Sequence, residues 1–261
     1  MLTATANSFS RITLSLAAPV AYLTLAHPPV NVIDLQMMDD LASAIEKVSA
    51  RDEISILVLA GSEKAFSAGV DISVHTPEQV PTMLQKFHTV IRALVATKKV
   101  TICAVRGNCL GGGAEIPLVC DMVYTTKAAK WGFPEIQLAC FPPVAVTALA
   151  AVVGQKRAAD LVLTGRTFTG EYAATIGLAN EAVDDADLDT VVERAVSRMK
   201  YHSTAALAIA KRALYAWDAA HFDKGLARAE KIYLEELMKT EDVREAIEAW
   251  IDKRTPVWRG K

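Results

Sequence analysis

The sequence predicts an α/β chain with a wholly helical end, and three observations lead there. Short β-branched runs alternate with amphipathic stretches as far as about residue 183. Two of these runs, 54–60 and 100–105, are apolar almost throughout, as in strands covered on both faces of a parallel sheet. From Leu188 onward the pattern is helical almost without a break. We therefore expect an α/β core carrying the site over residues 1–185. A helical region over 186–261 would cap the site or form an oligomer interface.

The elements follow in order. Ile12, Leu14 and Leu16, then Val20, Tyr22, Leu23 and Leu25, flank Ala-Ala-Pro and predict a hairpin or two consecutive strands. His27-Pro28-Pro29 ends it, and an amphipathic helix runs from about Leu35 to Ala50. A strand over 54–60 and a polar turn lead to the small-residue stretch Phe66-Ser67-Ala68-Gly69-Val70-Asp71. Thr76 as N-cap and Pro77 at the first position start a helix that runs to about Thr97. After the 100–105 strand come a glycine turn, a short helix and a strand at 122–124. Pro142-Pro143 opens a helical region that Gly154 ends. Helical patterns at 156–163 and 170–176 precede a strand at 179–183, and helices are expected at 188–200, 203–220, 222–239 and 242–252.

Composition excludes several function classes. With 52 % apolar residues in 261 and a net charge of −2, the chain can bury a large core and shows no basic footprint for nucleic acid. Cys103, Cys109, Cys120 and Cys140 have no zinc spacing and read as reduced thiols of a cytoplasmic enzyme. No run reaches the roughly 18–20 apolar residues of a membrane span, and no signal peptide is evident.

Residues 105–115, Val-Arg-Gly-Asn-Cys-Leu-Gly-Gly-Gly-Ala-Glu, are the stretch around which the rest is organised. Glycines between a strand and a helix let the backbone approach a ligand, and the first N–H groups of a helix are free to donate. Such a donor becomes catalytic when the oxygen it meets gains charge. Pro117 is expected in the first helical turn. The same stretch also reads as loop punctuation, with Glu115 there only to complement the helix dipole. It has neither GxGxxG nor a Walker A Lys-Ser/Thr pair, which speaks against a phosphate loop. Val70 and Gly112 each follow a buried strand, so both would lie at the carboxyl ends of a parallel sheet and could donate to one carbonyl oxygen. Glu135, in Gly-Phe-Pro-Glu-Ile, adds a second carboxyl, and two carboxyls in different environments suit acid–base work.

These motifs occur in one familiar order. Residues 66–71, 107–115, 131–136 (Trp-Gly-Phe-Pro-Glu-Ile), Leu163-Thr164-Gly165 and 173–178 make the chain resemble the enoyl-CoA hydratase (crotonase) family, from about residue 10 to Lys253-Arg254 and Pro256. The resemblance implies a crotonase-like core of repeated ββα units with a helical C-terminal trimerisation region, in a homotrimer or dimer of trimers. It implies an acyl-CoA thioester as substrate, with coenzyme A as part of it and no resident metal or redox cofactor. It puts the oxyanion hole at the N–H groups of Val70 and Gly112. Glu115 would help activate water, and Glu135 would exchange a proton with the α-carbon and orient the water. Ala68, Asp71, Gly111, Trp131, Phe141 and Pro143 would line the substrate site, and Val30, Asn31, Val32 and Lys253 would contact CoA.

The chain departs from the family pattern where Phe141-Pro142-Pro143 replaces the usual Pro-Gly loop, since Pro143 has no N–H to offer. No basic residue precedes Asn31 in the CoA loop. These departures, with His75-Thr76-Pro77, resemble the branch that hydrates cyclohexa-1,5-diene-1-carbonyl-CoA. The competing readings are a short-chain enoyl-CoA hydratase or isomerase, and an acyl-CoA-binding protein without turnover. His75 and His88 are expected as surface or cap residues. Asp71 is expected to fix its own turn, and Trp217, Tyr233, Trp250 and Trp258 to serve packing or an interface.

Overall fold

The computed structural model describes residues 9–215 and 219–260. Strands β1 (Ile12–Ala17) and β2 (Val20–Leu25) form the expected hairpin. β3 (Ile56–Ala60) pairs in parallel with β2, and β4 (Ala65–Ser67) follows it into a second, smaller sheet. β5 (Val100–Val105) and β6 (Asn108–Leu110) repeat that division, as do β7 (Met122–Thr126) and β8 (Lys130–Gly132). β9 (Thr167–Thr169) closes the small sheet antiparallel to β8, and β10 (Glu181–Val183) pairs in parallel with β7. The large sheet has the order β1-β2-β3-β5-β7-β10 and the small one β4-β6-β8-β9. The pairs β3/β4, β5/β6 and β7/β8 each give one strand to each sheet and then lead into a helix, which is the repeated ββα architecture the resemblance implied.

Successive side chains of a strand point to opposite faces. Leu57, Leu59, Cys103, Val105 and Val123 therefore join one core with α1 (Leu35–Ser49) and α2 (Val80–Ala96). Ile56, Val58, Ile102, Ala104 and Tyr124 face the other way, onto Leu188, Val191, Val192, Ala195 and Val196. Burial on both faces explains why these strands read as continuous apolar runs. α1 starts where predicted because the Asp34 carboxylate accepts the N–H of Met37 at 2.7 Å, a side-chain cap.

The remaining helices are α3 (Gly112–Leu118), α4 (Pro143–Val153), α5 (Gln155–Thr164), α6 (Gly170–Thr175), α7 (Leu188–Met199), α8 (Thr204–Tyr215), α9 (Ala219–Glu235) and α10 (Glu241–Ile251). α7 is the helix that covers the second face of the large sheet. α8 is anchored through Lys211, which pairs with Asp121 at 2.7 Å and donates to the Lys99 carbonyl at 2.8 Å. No described helix is long and apolar enough to cross a membrane.

Three expectations are corrected. α2 starts at Val80 rather than after Thr76, with Pro81 rather than Pro77 in its first turn. Pro117 sits in the last turn of α3, not the first. Its ring denies the Gly113 carbonyl a helical N–H, and the Cys109 thiol donates to that oxygen instead at 3.5 Å. The short strands β6, β8 and β9 have three residues each, too few to show a period. His88 is fully buried and not a surface residue. Trp217 lies outside the described residues.

Candidate active site

β6 ends at Leu110, and the chain turns at Gly111 (φ +54°, ψ −131°) into α3. That backbone favours glycine. A Cβ on Gly111 would also lie 2.7 Å from Glu135 Oε1, so the second glutamate rests directly on this turn. One residue on, a Cβ on Gly112 would lie 2.7 Å from Val70 Cγ2 and 3.2 Å from Phe87 Cζ. The two small-residue stretches therefore touch, as expected.

Val70 bridges to Ile33 in a short parallel contact: Ile33 N–H donates to Gly69 O at 2.9 Å, and Asp71 N–H to Ile33 O at 3.1 Å. In extended backbone the N–H between them faces the opposite way. Among the described residues no acceptor takes the N–H of Val70 or of Gly112. Both donors are thus available to a bound oxygen, and Gly112 adds the positive end of a helix.

Glu115 is the fourth residue of α3 and is 2 % exposed. Its Oε1 accepts the N–H groups of Val144 at 2.8 Å and Ala145 at 3.0 Å, the opening of α4. Glu135 lies in a single 3-10 turn (Pro134–Leu138), and its Oε2 is buried with no hydrogen-bond partner among the described residues. Burial pushes the Glu115 carboxyl up to about 7, against the pull of its two N–H donors. Burial first, and the neighbouring Glu115 charge second, hold the Glu135 carboxyl well above the ordinary range. The two titrate as a pair. The hydrogen bonds decide where a shared proton sits: Glu115 is built to carry charge, and Glu135 to hold the proton. Such a pair can supply an anionic base and a neutral acid to a carbonyl compound bound beside it.

The other predicted site residues fall into three groups. Ala68, Asp71 and Gly111 line the turns themselves. Ala68 donates its N–H to Val30 O at 2.9 Å, and the Asp71 carboxylate accepts Ser73 N–H at 2.9 Å, which is the turn-fixing role expected of it. Phe141 and Pro143 lie just after Glu135, on the loop that leads to the N–H groups holding Glu115, Pro143 opening α4. Trp131 is different: it is fully buried in β8, and its indole N–H donates to Thr125 Oγ1 at 3.1 Å, which makes it a core residue. His75 caps the turn after Asp71, its ring nitrogen 3.0 Å from Asp71 O, as expected of a cap residue.

The proposed CoA loop is pinned from within. Asn31 is 1 % exposed with φ +53°, and its amide donates to Ala65 O at 3.0 Å and Phe66 O at 3.1 Å while accepting His27 N–H at 2.9 Å. Its side chain is therefore turned to the protein, leaving Val30 and Val32 on the half-buried side of the loop. Lys253, also at φ +53°, is exposed just past α10, beside an Arg254 that is engaged by Glu245. Asn31→Ala takes one donor from each of two carbonyls, of which Ala65 O keeps the Ser62 N–H, leaves the His27 N–H without its side-chain acceptor and puts alanine in left-handed backbone, so it should cost about 3 kcal/mol. A chemical-denaturation midpoint within error of the wild type would contradict that role. The functional groups that sequence reading missed are the Val144 and Ala145 N–H groups, because backbone donors have no residue-type signal.

The enoyl-CoA hydratase/isomerase family model matches residues 16–261. The chain belongs to that family. Within it, similarity extends over nearly the whole chain to a cyclohexa-1,5-dienecarbonyl-CoA hydratase of Thauera aromatica, with 29 % identity over 98 % of this chain and 99 % of the relative. A 2,3-dehydroadipyl-CoA hydratase of Escherichia coli K12 is 32 % identical over 97 % and 100 %. The solved structure of an enoyl-CoA hydratase from Mycobacterium avium subsp. paratuberculosis superposes with a TM-score of 0.86 at 23 % identity, covering 96 % and 99 %, and so shares the fold. Family membership makes the protein an enzyme of the hydro-lyase class, and an acyl-CoA thioester fits as its substrate class.

For a hydratase of this family the glutamate pair sets a pH dependence. With Glu115 as the base and Glu135 as the acid, kcat/KM should rise with pH through about 7 and fall at higher pH. A profile flat from pH 5 to 9 would contradict it. The stability effect has a fixed sign. Folded Glu115 keeps its proton up to about 7, whereas the ordinary value is 4.5. The folded chain therefore binds more protons across that window, and stability falls as pH rises through it.

Proposed function

We propose that the protein adds water to a conjugated enoyl- or dienoyl-CoA thioester, with cyclohexa-1,5-diene-1-carbonyl-CoA as its substrate. The observation that carries the reading is the pair of glutamates, buried Glu115 and half-buried Glu135, with opposite hydrogen-bonding environments at the glycine turn. The thioester oxygen would accept the N–H groups of Val70 and Gly112. Glu115 would take a proton from water as its oxygen bonds to the ring, the electrons would move through the conjugated system onto the thioester oxygen, and Glu135 would return a proton to carbon. The product would be a hydroxycyclohexene-carbonyl-CoA.

The Thauera relative supports the cyclic substrate. Ala68, Gly111, Phe141 and Pro143 would line the acyl group. The backbone of Val30 and Val32, with Lys253, would meet CoA. The reaction needs no metal or redox cofactor, and the helical end would build a homotrimer or a dimer of trimers.

The test is mass spectrometry of purified protein with crotonyl-CoA, 2,3-dehydroadipyl-CoA and the cyclic dienoyl-CoA, repeated in heavy-oxygen water. Gain of one labelled water by the diene alone is the expected result. Turnover of crotonyl-CoA instead would keep the mechanism and discard the ring. No mass change on any of the three would sink the hydratase reading.

A further inference from the structure

Among the described residues, two buried side-chain polar atoms have no hydrogen-bond partner. One is Glu135 Oε2, at the site. The other is Nε2 of His88, a residue of α2 with no exposed surface. A bare buried acceptor is unfavourable, so this second one calls for a reason. The rest of the ring is firmly held. Its Nδ1 lies 2.5 Å from Glu230 Oε1 on α9, and Arg92 donates to the same oxygen at 2.8 Å. Burial lowers the His88 imidazole below its ordinary value, against the pull of Glu230, so the ring is neutral at neutral pH. The carboxylate takes the Nδ1 proton, and that tautomer leaves Nε2 as an acceptor.

Glu230 and Arg92 are both partly exposed, whereas the imidazole is not. The two ring nitrogens lie on opposite sides of the imidazole, so with Nδ1 on Glu230 the Nε2 lone pair is directed inward. The elements that carry the site bound the interior there. The Phe87 ring, its centroid 6.1 Å from that of His88, reaches to 3.2 Å from where a Cβ on Gly112 would lie. On α9, Glu230 stands between two contacts. Gly225 packs on Thr147 of α4, and the Tyr233 ring meets Phe141 edge-on with centroids 5.1 Å apart. The opening of α4 in turn holds the Glu115 carboxylate.

We propose that His88 is a specificity-determining residue that touches the acyl group: its Nε2 accepts a hydrogen bond from the hydroxyl of the hydrated acyl-CoA. The proposal rests on the hydratase reading and adds to it a group that tells the hydroxylated form from the unhydrated one. An unprotonated Nε2 has nothing to donate to a thioester oxygen, and a hydroxyl is the donor that hydration creates. Glu230 is then a positioning residue, which acts by fixing the tautomer and the direction of the ring.

The test compares the binding of hydroxycyclohexene-carbonyl-CoA and cyclohexene-carbonyl-CoA, which differ by that hydroxyl, in a Glu115→Gln background that prevents turnover. The hydroxylated ester should bind about tenfold more tightly, and adding His88→Phe should bring the two within about twofold of each other. A nitrogen-15 NMR titration of histidine-labelled Glu115→Gln protein does not depend on how well the His88 variant folds, since His88 can be assigned by its change in Glu230→Gln. Its Nε2 resonance should move when the hydroxylated ester is added and stay in place with the other. Equal affinities for the two esters before His88 is changed would overturn the proposal. So would an Nε2 resonance that neither ester moves, or that both move alike. Should the wild type hydrate no acyl-CoA, the hydratase reading fails, and these binding measurements still decide whether His88 meets a hydroxyl.

Discussion

Glu135→Gln is expected to lower kcat about 10³-fold while leaving the fold intact. The amide has the carboxyl's shape, and it replaces a group whose Oε2 already lacks a partner, so nothing structural is lost. What disappears is the proton the site is built to hold. Glu115→Gln should do comparable damage for the opposite reason. Its side-chain oxygen can still accept the N–H groups of Val144 and Ala145, but it can no longer take a proton from water. Because the two act as a unit, the double variant should be scarcely slower than either single one. Steady-state kinetics beside thermal melts checks this. Either single variant retaining more than a tenth of wild-type kcat with an unchanged melt would remove that glutamate from the chemistry.

Gly112→Ala is the second large effect. Helical backbone tolerates alanine, so any loss must come from the added methyl. That methyl meets Val70 Cγ2 at 2.7 Å and Phe87 Cζ at 3.2 Å, and the contact is relieved only by parting the two segments whose N–H groups face the carbonyl site. Misplacing one such donor costs about 3 kcal/mol of barrier, roughly 10²-fold in kcat. Substrate binding, spread over the CoA moiety, should change little. A kcat within twofold of wild type would mean that these N–H groups do not stabilise the developing charge.

The contrast between what was legible and what was not follows chemistry. β3 and β5 declared themselves through continuous apolar runs because both of their faces are covered. The glycine turn and both glutamates stood out because few other residues permit that backbone or that proton chemistry. The small sheet did not show, since its strands are only three residues long. Trp131 read as a pocket wall because an aromatic beside a strand gives no sign of the Thr125 hydroxyl that holds its indole in the core. The burial of His88 was not legible because its partner, Glu230, lies 142 residues further along the chain. The structural role of Asn31 was not legible, because its amide serves backbone groups of His27, Ala65 and Phe66 that no local pattern connects to it.

The short loop between Glu135 and Ala145 ties the acid to the base: one end carries Glu135, and the other offers the N–H groups that grip Glu115. For protein engineering this removes an independent dial. A substitution at Phe141 chosen to admit a bulkier acyl group also shifts the backbone that sets both carboxyls, so changes of substrate range and changes of turnover will arrive together. A library meant to separate them should leave this loop alone.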